Sequence, residues 1–241
     1  MLGAVGRDAY GPALLANLER HGVDVSGAAA DPGLATGVAV IIVDEPTGQN
    51  RIVLSPGANH SLAAARFADP AALGDPLPDL LVMQLEIPLA TVLAALRAAR
   101  AAAVPVLLNP APAVPLPADA YAGLAHLVVN ETEAAILGGL ASESVLDDEA
   151  GLEAVARDFL SRGVRNVIIA VAAKGLLPAE KAKVVDTTAA GDTFVGRYAL
   201  DVVASGPAFD IVEAVKKANR AAAKTVERLG AQDSIPWRDE L

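Results

Sequence analysis

The chain contains no cysteine, so neither disulfides nor thiolate metal sites contribute to it. Its three histidines, His21, His60 and His126, are scattered and form no HxxxH pair. That argues against a zinc site or a histidine base and favours solvated or capping roles. Aromatic residues make up only 3%, so the core must be built from Ala, Val, Leu and Ile. The same scarcity disfavours single-stranded nucleic-acid readers, which stack bases on aromatic rings. Basic charge is also short: the net charge of −10 speaks against a phosphate-backbone binder, though not against a nucleotide that brings its own metal. Pro, Gly or charge interrupts every apolar run before it reaches the length of a membrane span. The opening "MLGAVGRDAYG" lacks the basic region and long apolar stretch of a secretory signal. The expectation is a cytoplasmic protein, also nuclear if the source is eukaryotic, without nucleic-acid or membrane partners.

What is present is apolar. Hydrophobic residues make up 53% of 241 residues, enough for one α/β domain with a substantial core and cramped for two. "TGVAVIIV" (36–43) and "RIVLS" (51–55) flank the turn formers "DEPTGQN" and predict a hairpin with a longer loop. Short apolar runs then alternate with helical patterns. "LLVMQL" (80–85) precedes a helix with Leu89, Val92, Leu93 and Leu96 at i, i+3, i+4, i+7 and Pro88 in its first turn. "VPVLL" (104–108), "HLVV" (126–129) and "NVIIAV" (166–171) read as further strands, and 183–185 as the end of another. Helices are expected after "HLVV", over 148–162, near 190–205 and over 211–228. Continuous apolar strands alternating with helices imply a parallel sheet covered on both faces. Ligands bind such sheets beyond the carboxyl ends of the strands. Glu86, Asn109, Asn130, Glu133, Lys174 and the run from Asp186 to Asp192 stand there.

"VVDTTAAGDTFVG" (184–196) breaks the Ala- and Leu-rich rhythm. Ala189, Ala190 and Gly191 are small enough for their N–H groups to approach an anion closely. A helix N-terminus adds unpaired donors and the positive end of a dipole. Asp192, in the first turn, is placed to accept a proton from an attacking hydroxyl, or simply to favour the helix start.

"DTTAAGDTFVG" resembles the carboxyl-terminal signature of the ribokinase (PfkB) family of ATP-dependent sugar and nucleoside kinases. "GAVGRDAYGPALLANLERHGVDVSG", "TGVAVIIVDEPTGQNRIVLSPGAN", "MQLEIPL", "NPAPA", "NETEAAIL" and "GAQDSIPW" also resemble the family, in the same order. Neither a Walker A motif nor a protein-kinase HRD is present. The resemblance covers nearly the whole chain as a single domain, 1–241. It implies a three-layer Rossmann-like α/β fold with a mostly parallel central sheet flanked by helices and an incomplete lid sheet.

By this resemblance Asp192 is the catalytic base, and the amides of Ala189, Ala190 and Gly191 form an anion hole for the γ-phosphate. Asn130 and Glu133 serve the triphosphate and, through water, its Mg²⁺; the same pair also fits a helix capping box. Lys174 and Gly175 fall in the nucleotide loop, Asn219 on the adenine side, and Glu86 on the sugar. Asp186, Thr188, Thr225, Arg228, Gly230 and Ser234 match a monovalent-cation site for K⁺, mostly through main-chain carbonyls. Asp186 alone fits an Asx turn equally well. The implied reaction is transfer of the γ-phosphate of ATP to D-ribose. Another sugar or nucleoside kinase of the family and a non-catalytic nucleotide-binding remnant remain open. The family tends to homodimerise through its lid. Against its pattern, the chain shows no counterpart of the first strand with its sugar-binding Asp, of the lid strands, or of the Gly-Gly-Lys-Gly-Ala-Asn loop. Ala172 stands where the nucleotide loop has glycine, and 175–186 is too short for an intervening hairpin. A weak sugar grip is therefore expected.

Overall fold

In the computed structural model, which describes residues 1–44, 50–171 and 182–241, the chain divides into two compact units. One comprises Met1–Val40, Ile52–Pro78 and Met83–Val104; the other comprises Ile41–Arg51, Asp79–Val82 and Pro105–Leu241.

The first unit opens with β1 (Gly3–Gly6), α1 (Tyr10–Arg20) and β2 (Ala28–Asp31), and the two strands pair in parallel. The turn between β1 and α1 is packed backbone on backbone. A Cβ at Gly11 would stand 2.1 Å from the Gly6 carbonyl oxygen, so only glycine fits. Asp8 ties this turn down: it accepts the N–H groups of Tyr10 and Gly11 and both the hydroxyl and N–H of Thr36. The Thr36 bonds lead in holding its pKa at about 2. Of the expected hairpin, β3 (Val38–Val43) and β4 (Asn50–Ser55) pair as a two-stranded sheet, and residues 45–49 of its loop lie outside the described residues. α2 (Leu89–Ala101) is buried more widely than its Leu89/Val92/Leu93/Leu96 stripe suggests. Thr91, Ala94, Ala95, Ala98 and Ala99 are also buried, because small side chains let neighbours close in from several sides, and only positions such as Arg97 and Arg100 stay exposed. Pro88 precedes the helix as its N-cap rather than lying in the first turn.

The second unit is built on the sheet β5-β6-β7-β8, with β5 (Leu81–Met83), β6 (Val106–Leu108), β7 (His126–Asn130) and β8 (Asn166–Ala170). β6, β7 and β8 run parallel, with Leu107 opposite His126 and Val128 opposite Ile168. Side chains alternate between the two faces. Leu107, Val128 and Ile168 form one core with Phe194, Val195, Tyr198, Ala214 and Ala218. The intervening Leu108, Leu127 and Val129 are buried as well, and the following helices α3 (Glu131–Gly138) and α4 (Glu149–Ser161) pack on β7 and β8. The sheet is thus flanked by helices. α5 (Ala190–Ser205) has the bounds the sequence predicts, while α6 (Ile211–Thr225) stops short of Arg228.

Two expectations are corrected here. Residues 183–185 are not a strand: Val185 and Asp186 instead both donate their N–H groups to the Val226 carbonyl. His126 is neither solvated nor a cap. It is 5% exposed, its Nδ1 lies 2.9 Å from the Tyr198 hydroxyl, and it meets Tyr198 and Phe209 edge to face. A strand start next to an aromatic helix face gives this ring a partner that its isolated position in the sequence does not reveal.

Candidate active site

Tyr198 and Phe209, which follows α5, both touch the first residue of β7. α5 therefore runs toward the amino ends of the strands, and its own N-terminus points at their carboxyl edge. Asn109 and Asn130 stand at that edge, directly after β6 and at the end of β7. The sheet order thus brings the helix start to the place where such folds bind ligands.

The entry to α5 is strained. Ala189 has φ 62°, ψ 7°, a left-handed conformation unusual for any residue with a Cβ. This turn reverses the chain, and the first helical bond follows from Thr193 N–H to Ala189 O at 2.9 Å. Ala190 N–H makes only a long bond of 3.4 Å to Thr187 O. The next N–H groups, at Gly191 and Asp192, belong to the turn that has no acceptors within the helix. Both residues are exposed, and a Cβ built at Gly191 would meet nothing within 4 Å. Neither backbone angle nor protein packing demands glycine at 191. Bare backbone there leaves room for something from outside to come close.

Behind this turn lies a dense polar assembly. Asp186 is 3% exposed; its Oδ1 accepts Thr188 N–H at 2.9 Å and its Oδ2 accepts Gly230 N–H at 3.0 Å. Burial pushes this carboxyl up, but the Thr188 and Gly230 bonds outweigh it and hold the group below its usual range. The Asx-turn reading of Asp186 is thus realised, and the same contacts bring Thr188 and Gly230 to it. Thr225 is fully buried with its hydroxyl 2.9 Å from that of Thr193. Ser234 is also buried and donates to Ala231 O at 2.7 Å. The Arg228 guanidinium turns away to pair with Glu240, so only its main chain is available to the 186–192 loop.

Asn130 and Glu133 form a reciprocal capping box at the start of α3, with bonds of 2.9 Å and 2.8 Å. Burial pushes the Glu133 carboxyl above its usual range against the opposing Asn130 N–H. The box leaves Asn130 exposed at the carboxyl edge. Asn109 spends its side-chain N–H on the Val128 carbonyl. Asn219 is half-buried on α6, and Glu86 is exposed just after β5 in the first unit. Lys174, Gly175 and the Ala172 departure lie outside the described residues. Among the described residues no cluster of three or more His, Asp or Glu stands ready for a metal.

Sequence reasoning missed the Thr193 hydroxyl and the side-chain role of Thr225. A usable signal was present: Ala214, Ala218, Ala221 and Thr225 are buried at helical spacing, which marks Thr225 as facing inward.

The model of the pfkB family carbohydrate kinases matches residues 1–238. The chain belongs to that family. It is similar to the ribokinase of Schizosaccharomyces pombe, at 44% identity over 98% of this chain and 76% of that protein. Among solved structures, Thermotoga maritima ribokinase superposes with a TM-score of 0.82 at 36% identity, over 99% of this chain and 78% of that one. Arabidopsis thaliana ribokinase, solved in complex with ribose and ATP, superposes with a TM-score of 0.79 at 26% identity, over 99% and 78%. These likenesses make the α/β architecture that of the ribokinases and the chain a carbohydrate kinase.

Proposed function

We propose that this pfkB-family chain phosphorylates D-ribose with ATP. The observation that carries the reading is the exposed first turn of α5, with Gly191 and Asp192 presented at the carboxyl edge of the parallel sheet. The name shared by its relatives, and the ribose and ATP bound to the Arabidopsis enzyme, support the substrate pair.

In this reading the sugar's primary hydroxyl gives its proton to an Asp192 carboxylate oxygen as its own oxygen attacks the γ-phosphorus. The bond between the γ-phosphorus and the bridging oxygen breaks, and ADP leaves with that electron pair. The N–H groups of Ala189, Ala190 and Gly191, aided by the helix dipole, stabilise the charge on the transferring group. Ala190 N–H gives up only its long 3.4 Å bond to Thr187 O to do so. When bound, Mg²⁺ neutralises the triphosphate and K⁺ strengthens the field behind the anion hole. Glu133 and Asn130 fit the first of these ions only as outer partners, since each already serves the capping box. That suits an ion held chiefly by nucleotide phosphates. For the second, both Asp186 oxygens hold N–H groups, so Asp186 would supply charge and the main-chain carbonyls of Thr188, Thr225, Arg228, Gly230 and Ser234 would supply oxygen ligands. Lys174, Gly175 and Asn219 serve the nucleotide, and Glu86 the sugar. The family's tendency to self-associate through its lid meets an incomplete lid in this chain; the exposed Val40, Ile42, Ile52 and Val53 of the β3–β4 pair are the apolar surface that supports it.

Asp192→Asn tests the assignment. Turnover should fall by about 10²–10⁴-fold while a non-hydrolysable ATP analogue binds as before. Full turnover in the Asn protein would reduce Asp192 to a helix-start residue. ATP-analogue binding by the unmodified chain, with no phosphorylation of ribose, fructose or adenosine, would support a nucleotide-binding remnant instead.

A further inference from the structure

We propose that Thr193 and Thr225 are a positioning pair that fixes the rotation of the first turn of α5, and so aims Asp192; the inference rests on the reading of Asp192 as the base. Thr193 is 6% exposed and Thr225 fully buried, with their hydroxyl oxygens 2.9 Å apart between two helices. The Thr225 oxygen also lies 3.2 Å from the Ala221 carbonyl one turn earlier. A hydroxyl carries one proton, and the Thr225 hydroxyl donates it to the nearer Thr193 oxygen, with the Ala221 carbonyl as its other acceptor.

Successive helical residues point about 100° apart, so the inward Thr193 and the outward Asp192 turn together. The residue after Thr225 grips the other end of the loop. Val226 O accepts Val185 N–H at 2.7 Å and Asp186 N–H at 3.2 Å. Gly230, slightly further on, holds Asp186 Oδ2. The carboxyl end of α6 therefore clamps residues 185–186 on one side and Thr193 on the other, and everything assigned to phosphoryl transfer in the loop lies between. The clamp at 193 is a single hydroxyl, with no side-chain bulk that valine lacks. Its loss leaves Thr225 still bonded to Ala221, so folding has little at stake and aim has much. Small misplacements of a reacting group cost rate steeply.

The test compares the whole chain with Thr193→Val, Thr193→Ser, Thr225→Val and the Val/Val double variant in ATP-dependent ribose phosphorylation. Thr193→Val should lower kcat about tenfold and leave KM for ATP within about twofold, with the melting temperature lowered by less than about 4 °C. Thr193→Ser, which keeps the hydroxyl, should restore kcat to within about twofold of the unmodified chain. Thr225→Val should reproduce the loss, and the double variant should be no worse than either single one, because both remove the same bond. If Thr193→Val fails to fold, the Thr225→Val and Thr193→Ser results decide alone. Unchanged kcat in the valine proteins, a serine protein as slow as the valine one, or additive losses would overturn the inference by itself. An unmodified chain that leaves ribose unphosphorylated would defeat the proposed function and this inference with it.

Discussion

Acidification should destabilise this protein through His126 beyond what its carboxylates alone account for. Burial, with a smaller contribution from the Arg165 charge, lowers its pKa from the ordinary 6.5 to about 4. The neutral ring is satisfied by the Tyr198 hydroxyl 2.9 Å away and enclosed by the Tyr198 and Phe209 rings. The unfolded chain protonates this imidazole near pH 6.5, and the folded chain only near pH 4. Between those values the unfolded state binds more protons, so stability rises with pH. The contribution is complete above about pH 6.5, is lost progressively below it, and levels off below about pH 4. At about 1.4 kcal/mol per pH unit, the window is worth on the order of 3 kcal/mol, a large share of a typical domain's stability. Urea unfolding followed by circular dichroism between pH 7 and 4 measures this. Carboxylates titrate in the lower part of the window, so the reference is His126→Gln, whose amide still meets the Tyr198 hydroxyl without titrating. The variant should be less stable at pH 7, and that deficit should shrink by about 3 kcal/mol on the way to pH 4. Parallel pH profiles for the two proteins, or an imidazole that titrates near 6.5 by NMR, would refute the reasoning.

Two further outcomes follow from the loop. Gly191→Ala adds a methyl where the protein itself has space, so the melting temperature should hold or rise slightly. Affinity for an ATP analogue should drop about tenfold, because the methyl stands where an anion approaches the backbone; unchanged affinity would remove Gly191 from the anion hole. Asp186→Ala deprives the Thr188 and Gly230 N–H groups of their acceptor and should cost about 1–3 kcal/mol in urea unfolding. The same variant should abolish any gain in turnover when K⁺ replaces Na⁺; a persisting K⁺ response would remove Asp186 from the cation site.

Much of this is legible in the sequence itself. The apolar runs at 104–108, 126–129 and 166–171 mark β6, β7 and β8, because strands buried on both faces of a parallel sheet are legible from composition alone. α5 is legible at its actual bounds because small residues at 189–191 give way to a helical pattern. Asn130 and Glu133 announced their capping box by spacing. What stayed hidden depends on partners distant in sequence. Residues 183–185 look like a strand, yet their backbone finds the end of α6 some forty residues later instead of a sheet neighbour. His126 looks solvated until Tyr198 and Phe209 close over it. Thr225 matched a main-chain cation ligand, while its hydroxyl turned to Thr193 on another helix. Local patterns specify elements, and pairings across the core specify which polar group meets which.

Under the proposed function, Asp192 and the start of α5 transfer the γ-phosphate of ATP to ribose. The most direct measurement incubates the chain with ribose and ATP labelled in the γ-phosphate, in Mg²⁺ and K⁺, and follows the label. Label should appear in ribose 5-phosphate with the unmodified chain and be nearly absent with Asp192→Asn. Label released only as inorganic phosphate, or ribose 5-phosphate formed equally by both proteins, would contradict the proposal.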